Sequence, residues 1–572
     1  MLRFESEGVS SSGLWGTRGN IFGVEKLNWC NMRISKVAIG LIGVLLSSPV
    51  SAQSVINEDG TFTLIPKAAA LQSVVENSPT FTEDLSNFYA ERAFVPVWVD
   101  DQVRRDALID AIRGSEAHGL PREAYGLESL ELMSSSDLDD PSLRAQVEVA
   151  YTQAFLEYGR HITSGVLVPS EVNWEIQHKP EMVEQTELLK GLLRADSASA
   201  FFDALIPTTK EYQALLDERA RLTHLISKEH AVALIPEGRM MRPGYQGSRI
   251  ISVRERLGIL GYGFLGSSDV YDELLVAVVE QFQKDNKLTA DAVMGPATIG
   301  AMNKSSSDRM AQVLVNLERH RWMNHDRSGR HIEVNLADFN MRVVDNEQVT
   351  FTSKVVVGKT GRDYRTPEFS KDMTHLIVNP FWHVPKSIAT REYLPMLQQD
   401  PMALANRGLW LMNRRGQVLN TAGADFTRYS ESNFPFLIKQ PPGGRNALGR
   451  VKFMFPNKNN IYLHDTPAKK LFGRDRRAYS HGCVRVHKPF ELAYHLLGAQ
   501  EADPEGTFKW LLNKRKERQV DLKKPVPVHL LYNTAFMAED GTIAYREDIY
   551  KRDRAVFDAL LGAGVVVADL SG

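Results

Sequence analysis

Residues 461–485 read IYLHDTPAKKLFGRDRRAYSHGCVR and contain the side chains on which the fold and the chemistry depend. Cys483 follows His481 and Gly482, and His464 ends an apolar run that predicts a β-strand beside this turn. A thiol is only slightly ionised near neutral pH, so an imidazole that takes its proton makes it a nucleophile. Gly482 permits a tight turn that exposes Sγ and directs main-chain N–H groups at a developing oxyanion. By residue chemistry alone, a cysteine nucleophile with a histidine base and an inert thiol fit equally well.

Short β-type runs surround this stretch and indicate a β-rich catalytic domain over 306–550. Turn signals such as Gly358 and Gly443-Gly444 separate the runs. We predict strands at 332–336, 349–351, 355–357, 374–378, 451–455, 460–464 and 526–531, and a helix over 487–497. The stretch 388–437 has less strand character, and we interpret it as an inserted lid over the site. Residues 551–572 are interpreted as a C-terminal tail.

Two helical regions precede this domain. From 69 to 235 the apolar residues recur at spacings of three and four, as in Phe155, Tyr158 and Ile162, which predicts a helical scaffold domain over 53–246. Residues 247–305 predict three short helices, and their motif, including Asp291…Gly295-Pro296, resembles the three-helix peptidoglycan-binding domain. Ala292 stands where that family usually has glycine. The fold class is therefore multidomain α+β.

Composition narrows the range of functions. The 572 residues are 43% hydrophobic and 24% charged, which is typical of a folded protein and excludes wholesale disorder. The net charge of −2 disfavours a nucleic acid as the main partner. Two cysteines exclude a disulfide scaffold and a four-thiolate zinc site. The spacing of His320, His325 and His331 matches no common zinc pattern, so we predict no metal and no cofactor.

The N-terminus has the pattern of a secretory signal peptide over 32–52. Arg33 and Lys36 precede an apolar run, 37–46, that is too short to span a bilayer as a helix, and small residues up to Ala52 follow. Met32 is an alternative start, with 1–31 then a misassigned leader. Cleavage after Ala52 removes Cys30 and leaves Cys483 as a lone thiol in a secreted, periplasmic protein, where a lone thiol is a candidate for reactivity.

The spacing of the whole stretch resembles the signature of the L,D-transpeptidase (YkuD-type) catalytic domain. That signature is His464, fifteen intervening residues, Ser480-His481-Gly482-Cys483, an apolar residue and Arg485. The stretches NPFWHVP at 379–385, QPPGGRNALG at 440–449 and HLLYNTAF at 529–536 also resemble that family. Together with the scaffold and the peptidoglycan-binding module, the chain resembles the large periplasmic YcbB-type members.

The resemblance implies a role for each matching residue. Cys483 is the nucleophile, His464 its general base, and the main-chain carbonyl of Asp465 orients the imidazole. His481 and Gly482 shape the oxyanion site, with the Cys483 amide as a donor, and Ser480 fixes the turn. The substrate-binding residues implied are Arg485, Tyr462, Trp382, His383 and Asn446. For Arg485 a structural salt bridge is an equal alternative, and for Trp382 core packing is the simpler interpretation.

The implied chemistry is two acyl transfers on peptidoglycan stem peptides. Cys483 attacks the carbonyl of the third residue, the L centre of meso-diaminopimelate, and expels D-Ala. A side-chain amine of a second stem then takes the thioester and forms a 3→3 cross-link, with the lid excluding water. Carbapenems, which acylate this family, and cell-wall synthases are the other partners implied.

Several alternatives remain open at this stage. The same Cys-His pair suits a hydrolytic L,D-carboxypeptidase or an enzyme acting on a lipoprotein–wall linkage. A catalytically silent wall-binding scaffold is a different class, although His464, Ser480, Cys483 and Arg485 are all present together. A papain-like peptidase is disfavoured because its cysteine precedes its histidine and begins a long helix, whereas this domain is β-rich with the order reversed.

Overall fold

The computed structural model describes residues 54–56, 62–229, 233–286 and 288–567. The predicted signal peptide, 32–52, and Cys30 lie outside these residues. Within the described part of the chain, no helix has the length and apolar character needed to cross a bilayer. The predicted α+β class is confirmed, with a helical N-terminal region, a three-helix module and a β-rich domain in that order.

The N-terminal region packs its helices around one apolar core. A hairpin of β1 (Ser54–Ile56) and β2 (Phe62–Leu64) comes first. The helices that follow are α1 (Pro66–Asn77), α2 (Glu83–Glu91), α3 (Gln102–Arg113), α4 (Leu127–Ser134), α5 (Pro141–Ser164), α6 (Pro169–Val172), α7 (Gln185–Arg194), α8 (Ala198–Leu205) and α9 (Lys210–Glu229). Asp140 caps α5 by accepting from the Leu143 N–H at 2.9 Å. Most of α5 is buried, so it forms the centre of this region.

The three-helix module contains α10 (Arg249–Leu257), α11 (Glu273–Asp285) and α12 (Pro296–Met302) around its own small core. Ala292, the departure from the family pattern, is buried with φ +54°. A left-handed conformation is uncommon for a residue with a Cβ. The side-chain oxygen of Gln283 accepts from the N–H groups of Asp291 and Ala292 at 3.1 and 3.0 Å and fixes this turn.

Helix α13 (Ser306–Trp322) follows the module and packs in the core of the helical region. Ser305 and Asp308 form a capping box at its start. Met310, Val313 and Leu317 are fully buried against the N-terminal helices. The predicted catalytic domain starts at 306, but by packing α13 belongs with the scaffold.

The β-rich domain begins with β3 (His331–Asn335), β4 (Asn340–Asp345), β5 (Gln348–Gly358) and β6 (Phe369–Val378). Its chain then leaves the sheet and forms a small unit over 382–440, here called the capping unit. This unit contains β7 (Trp382–His383), α14 (Lys386–Ile388), a π-helical turn (Ala389–Tyr393), α15 (Leu394–Gln399), α16 (Ala403–Asn406), β8 (Trp410–Met412) and β9 (Leu437–Gln440). Its strands pair in the order β7-β9-β8 over a separate apolar core that includes Leu397, Leu411 and Ile438. The predicted insertion, 388–437, lies inside it.

The chain then returns to the main sheet. The remaining elements of this part are β10 (Val451–Met454), β11 (Leu463–His464), β12 (Ala478–Ser480), β13 (Val484–Val486), α17 (Pro489–Leu497), α18 (Pro504–Asn513) and β14 (Arg518–Leu531). The strand order is β12-β5-β13-β11-β10-β6-β14-β3-β4, and β4 also pairs with β5, which closes the sheet on itself. Closure leaves fewer exposed strand edges.

Several strand predictions differ from the structure. The predicted strands at 349–351 and 355–357 are one strand, β5. The predicted strand at 460–464 shortens to β11, because Asn460 has φ +53° and cannot continue a strand. The Asn457 side chain stabilises this turn by donating to the Ile461 carbonyl at 2.8 Å.

The C-terminal segment differs from the predicted tail. After β15 (Ala535–Met537) and β16 (Ile543–Tyr545), helix α19 (Asp553–Gly562) packs on the helical core through Val556 and Leu560, both fully buried. Their i, i+4 spacing gives the helix one apolar stripe, which α13 and its neighbours cover. Residues 551–567 are therefore part of the packed fold.

Candidate active site

The turn that carries Cys483 is held by hydrogen bonds on both sides. The Ser480 hydroxyl donates to the Cys483 carbonyl and accepts from the Gly482 N–H at 3.2 Å. Thr366 donates to the Gly482 carbonyl at 2.7 Å. Gly482 has φ +109°, and a Cβ there would lie 3.1 Å from Ile461 Cδ1. Only glycine suits this position, and the turn that presents the Cys483 side chain connects β12 to β13 along the chain.

The Cys483 thiol is half-buried and protonated in this arrangement. Its Sγ donates to the Asn460 carbonyl at 3.6 Å and so does not hydrogen bond to His464. Burial raises its pKa to about 11, while hydrogen bonds from Tyr462 and the charges of Arg485 and Lys452 act in the opposite direction. A thiol of this kind needs a base at the moment of attack.

His464 is a buried imidazole of fixed orientation. Its Nδ1 faces the main-chain carbonyl of Asp465, and since a carbonyl only accepts, Nδ1 carries the proton and Nε2 is the unprotonated nitrogen of the neutral ring. Burial and then the charge of Arg485 lower its pKa to about 3, with Lys452 acting in the same direction and hydrogen bonds to main-chain atoms of Asp465 and Leu448 opposing. The ring is therefore neutral at physiological pH, as a general base requires.

The Asp465 side chain anchors the loop that supplies this carbonyl. Its carboxylate accepts from the Arg450 and Thr466 N–H groups at 2.8 and 2.6 Å and from Lys469 Nζ at 2.7 Å. A Cβ at Gly449, where φ is +64°, would lie 2.2 Å from Asp465 Oδ2. The resemblance assigned the orienting role to the carbonyl of Asp465, and the geometry places that carbonyl, rather than the carboxylate, against His464.

His481 points away from the thiol and meets the capping unit. Its Nε2 pairs with the Glu392 carboxylate on the π-helical turn, and Lys359 Nζ lies 3.3 Å from the same nitrogen. The Tyr364 ring meets it edge-on at 5.0 Å between centroids. The imidazole of His481 therefore ties the catalytic turn to the capping unit, and its expected part in shaping the oxyanion site stays a prediction.

The predicted substrate-binding residues fall into two groups. Tyr462 and Arg485 lie beside the thiol: burial raises the pKa of Tyr462 well above its usual value, and burial lowers the pKa of Arg485. Trp382 and His383 lie on β7, where Trp382 packs on the capping core and meets Tyr393 at 6.2 Å. The position of Trp382 thus agrees with the core-packing interpretation, while His383 is exposed.

Asn446, also predicted to bind substrate, lies in a network of main-chain hydrogen bonds. Its amide nitrogen donates to the carbonyls of Pro380, Gln440 and Pro441 at 2.9–3.2 Å, and its oxygen accepts from the Leu448 N–H at 2.8 Å. The side chain is buried with only 1% exposed, so these bonds satisfy it fully. In the structure this side chain anchors the loop, and its contact with a substrate stays a prediction.

Three residues of the site lack a sequence prediction. Lys452 on β10 lies near the thiol, Thr366 holds the catalytic turn, and Glu392 pairs with His481. The alternation in Val451-Lys452-Phe453-Met454 indicates that Lys452 faces away from the core. This alternation is the one sequence signal that could have pointed to Lys452. Thr366 and Glu392 lie 116 and 89 residues from their partners, so no local pattern connects them.

Comparison with family models assigns the three regions. Residues 329–528 match the L,D-transpeptidase catalytic domain (YkuD), residues 246–302 match a peptidoglycan-binding domain, and residues 83–218 match a scaffold domain. A curated protein of Haemophilus influenzae (strain ATCC 51907 / DSM 11121 / KW20 / Rd), named "Putative L,D-transpeptidase", is 34% identical over 226 residues. That match covers 39% of this chain and 45% of the relative, so the chain spans less than half the length of the curated relative it matches.

A comparison with solved structures also returned matches. An L,D-transpeptidase from Xylanimonas cellulosilytica DSM 15894 is 17% identical, covering 52% of this chain and 98% of that one with a TM-score of 0.14. One from Stackebrandtia nassauensis is 14% identical, covering 51% and 95% with a TM-score of 0.20. By its family matches, this chain contains a region similar to the L,D-transpeptidase (YkuD) catalytic domain, preceded by regions similar to a scaffold domain and a peptidoglycan-binding domain.

Proposed function

We propose that this protein is a cysteine-dependent L,D-transpeptidase that forms 3→3 cross-links in peptidoglycan. The carrying observation is that a thiol on a glycine turn and a neutral imidazole whose Nδ1 donates to the Asp465 carbonyl lie on adjoining stretches of the sheet. Cys483 and His464 lie on the neighbouring stretches joined by the β11–β13 pairing, in which Leu463 lies opposite Val484. Nucleophile, base and orienting group thus occur together in the domain that matches the family.

The first step is formation of a thioester. His464 Nε2 accepts the thiol proton as Sγ attacks the carbonyl of the third stem residue, an L centre of diaminopimelate. The oxyanion meets main-chain N–H groups of the turn; the Cys483 N–H has no partner among the described residues, which leaves it available. The C–N bond to D-Ala breaks, and the imidazolium returns its proton to the departing amine.

The second step is aminolysis of that thioester. The diaminopimelate side-chain amine of another stem attacks the carbonyl, Sγ leaves, and the imidazole removes the proton from the new amide nitrogen. Water competes for the same thioester, so transfer needs a covered site. The Glu392–His481 pair supports this role for the capping unit, because it joins the unit to the residue two positions before the nucleophile.

The setting of this activity is part of the proposal. The pattern at 32–52 suits export to the periplasm, and the module that matches a peptidoglycan-binding domain suits retention on the wall. Wall synthases as suppliers of glycan, and carbapenems as acylating inhibitors of Cys483, follow from the same assignment.

Mass spectrometry of the purified protein incubated with disaccharide-tetrapeptide tests the function. We expect a product with the mass of two substrates less one D-Ala, and none from the Cys483→Ala variant. Tripeptide monomer alone would replace the proposal with an L,D-carboxypeptidase. No turnover and no carbapenem adduct would indicate a silent binding scaffold, and product from the alanine variant would exclude Cys483 as the nucleophile.

A further inference from the structure

Lys452, His464 and Arg485 form one row across three adjacent strands. In the strand register Lys452 lies opposite His464, and His464 lies opposite Arg485. Residues directly opposite one another in paired strands share a face of the sheet. The alternate residues beside them, such as Phe453 and Val484, lie in the apolar core on the other face. Two cations therefore flank the imidazole on the face that carries the thiol.

Neither cation has a carboxylate partner. Among the described residues Arg485 and Lys452 form no ion pair, and Arg485 Nε is buried without a hydrogen-bond partner. Burial lowers the pKa of both side chains, and the only acidic group opposing this shift for Arg485 is Cys483 itself. For Lys452 the opposing groups are Glu517, which accepts from the Phe381 N–H, and again Cys483.

We infer that Lys452 and Arg485 form a carboxylate-binding subsite on either side of His464, which takes a carboxylate of the donor stem peptide. The inference rests on the proposed function for the identity of the donor. A planar guanidinium binds a carboxylate through two parallel hydrogen bonds, and an ammonium adds a point charge from the other side. Leaving two half-buried cations without an anion is costly, so a bound carboxylate stabilises both.

The subsite also couples donor binding to base strength. In the empty site the charges of Arg485 and Lys452 lower the pKa of His464. A bound carboxylate offsets these charges and makes the imidazole a stronger base only when a donor is present. The same carboxylate fixes the scissile carbonyl relative to Sγ, which is the larger benefit of a two-point contact.

Two sources can supply this carboxylate, and matched donors separate them. One donor carries an amide in place of the carboxylate of the terminal D-Ala, and the other carries an amide in place of the side-chain carboxylate of diaminopimelate. With the unmodified donor we expect Lys452→Met to lower kcat/KM by about 10- to 100-fold, as for loss of a charged hydrogen bond. With the donor that lacks the recognised carboxylate, wild type and Lys452→Met should differ by less than about threefold.

A control variant and a second readout complete the test. Lys371→Met removes an exposed lysine from β6 of the same sheet and should leave all donors unaffected. Equal losses on all three donors in Lys452→Met, or no loss, would overturn the subsite.

Alkylation of Cys483 tests the subsite even if the protein turns over no peptide. Iodoacetate carries a carboxylate and iodoacetamide does not, while both form the same S–CH2 bond with loss of iodide. The ratio of their rates at the Cys483 peptide, followed by mass spectrometry, should be several-fold higher in wild type than in Lys452→Met or Arg485→Met. An unchanged ratio would overturn the subsite; a changed ratio without peptide turnover would retain it and reject the transpeptidase.

Discussion

Arg552 and Arg485 are two arginines whose surroundings differ. Arg552 is fully buried and donates to Glu175 at 3.1 Å, to Glu368 at 3.0 Å and to the Thr366 carbonyl at 2.7 Å. The stacked rings of Tyr532 and Tyr550 lie against its guanidinium at 5.0 and 4.8 Å. Every nitrogen of this side chain has a partner.

Arg485 and its neighbour Lys452 have no carboxylate partner among the described residues, although Lys452 Nζ lies 5.7 Å from the centroid of the Tyr462 ring. Their acidic neighbours are the thiol of Cys483 and, for Lys452, Glu517. A buried cation that is saturated by the protein serves the fold, whereas one left without an anion imposes a cost that only a ligand offsets. The comparison therefore distinguishes a structural arginine from one that we propose binds a ligand, without reference to sequence motifs.

The largest effect on stability is expected at Arg552, whose nitrogens all have hydrogen-bond partners. Arg552→Met leaves Glu175 and Glu368 buried without their cation, and such a loss typically costs about 3–5 kcal/mol. Glu175 belongs to the scaffold and pairs with the catalytic domain through the Ile176–Glu368 bridge, so the two regions should loosen together. Thermal unfolding followed by circular dichroism should show a midpoint lower by several degrees.

The matched control for this change is Arg554→Met. Arg554 is 81% exposed in its side chain and pairs only with Asp558 four residues on, an arrangement that contributes little. An Arg552→Met midpoint equal to that of Arg554→Met would show that the buried network does not hold the two regions together.

The next effect concerns Thr366, which connects the saturated network to the catalytic turn. Its carbonyl accepts from Arg552, and its hydroxyl donates to Gly482 and accepts from the Gly358 N–H at 3.0 Å. Thr366→Val keeps the shape of the side chain but leaves the Gly482 carbonyl and the Gly358 N–H without this partner. The expected loss in the free energy of unfolding is about 1–3 kcal/mol. We expect lower stability together with a reduced kcat, with Thr374→Val, a half-buried threonine of β6, as the control. A stability loss with full kcat would mean that the turn keeps its geometry without this bond.

The rate of Cys483 alkylation should rise about tenfold for each pH unit below the pKa of the thiol. Because burial raises the pKa of the thiol to about 11, the thiolate fraction rises with pH through neutrality and levels off only near that value. His464, with its pKa lowered to about 3, stays neutral and should add no step near pH 6.5. Iodoacetamide rates at the Cys483 peptide from pH 6 to 10 measure this. A plateau beginning near pH 7 would instead indicate a thiolate–imidazolium pair at rest.

A smaller effect is expected at the Glu392–His481 pair, which is an ion pair like that of Arg552 but is more exposed to solvent. Its side chains are 33% and 23% exposed, so the pair should add little to stability. Glu392→Gln weakens the connection between the capping unit and the catalytic turn, and we expect a few-fold rise in tripeptide relative to cross-linked dimer. Glu431→Gln, on the same unit but paired with Arg391, is the control. An unchanged product ratio would mean that the capping unit excludes water without this contact.

The sequence predicts the local part of the site and not the distant part. Gly482, Ser480 and Cys483 lie within one turn, and the Asp465 carbonyl is adjacent to His464, so a linear motif contains their geometry. The hydrogen bond from Thr366 and the pair with Glu392 arise from closure of the sheet and from the docking of the capping unit, which sequence spacing does not encode.

For the fold, too, the sequence predicts the local features and not the distant contacts. Alternation located most strands of the sheet, but β11 starts later than predicted, because Asn460 is left-handed and the Asn457 side chain bonds both main-chain groups of Ile461. The apolar pair Val556 and Leu560 was available in the sequence as a helical stripe. A short amphipathic segment at a chain end nevertheless becomes a packed helix only because α13 offers it a partner surface.

The smallest effect, and the one that completes the comparison, is the stability of Arg485→Met. Removing a cation that has no carboxylate partner removes its desolvation cost along with its charge, and methionine retains much of the apolar stem. The thermal midpoint should therefore stay within about a degree of wild type or rise, while kcat/KM falls as for Lys452→Met. A large drop in midpoint would show that Arg485 serves the fold as Arg552 does. Retained stability with lost activity would mean that the fold bears the cost of this unpaired cation so that a substrate can supply its partner.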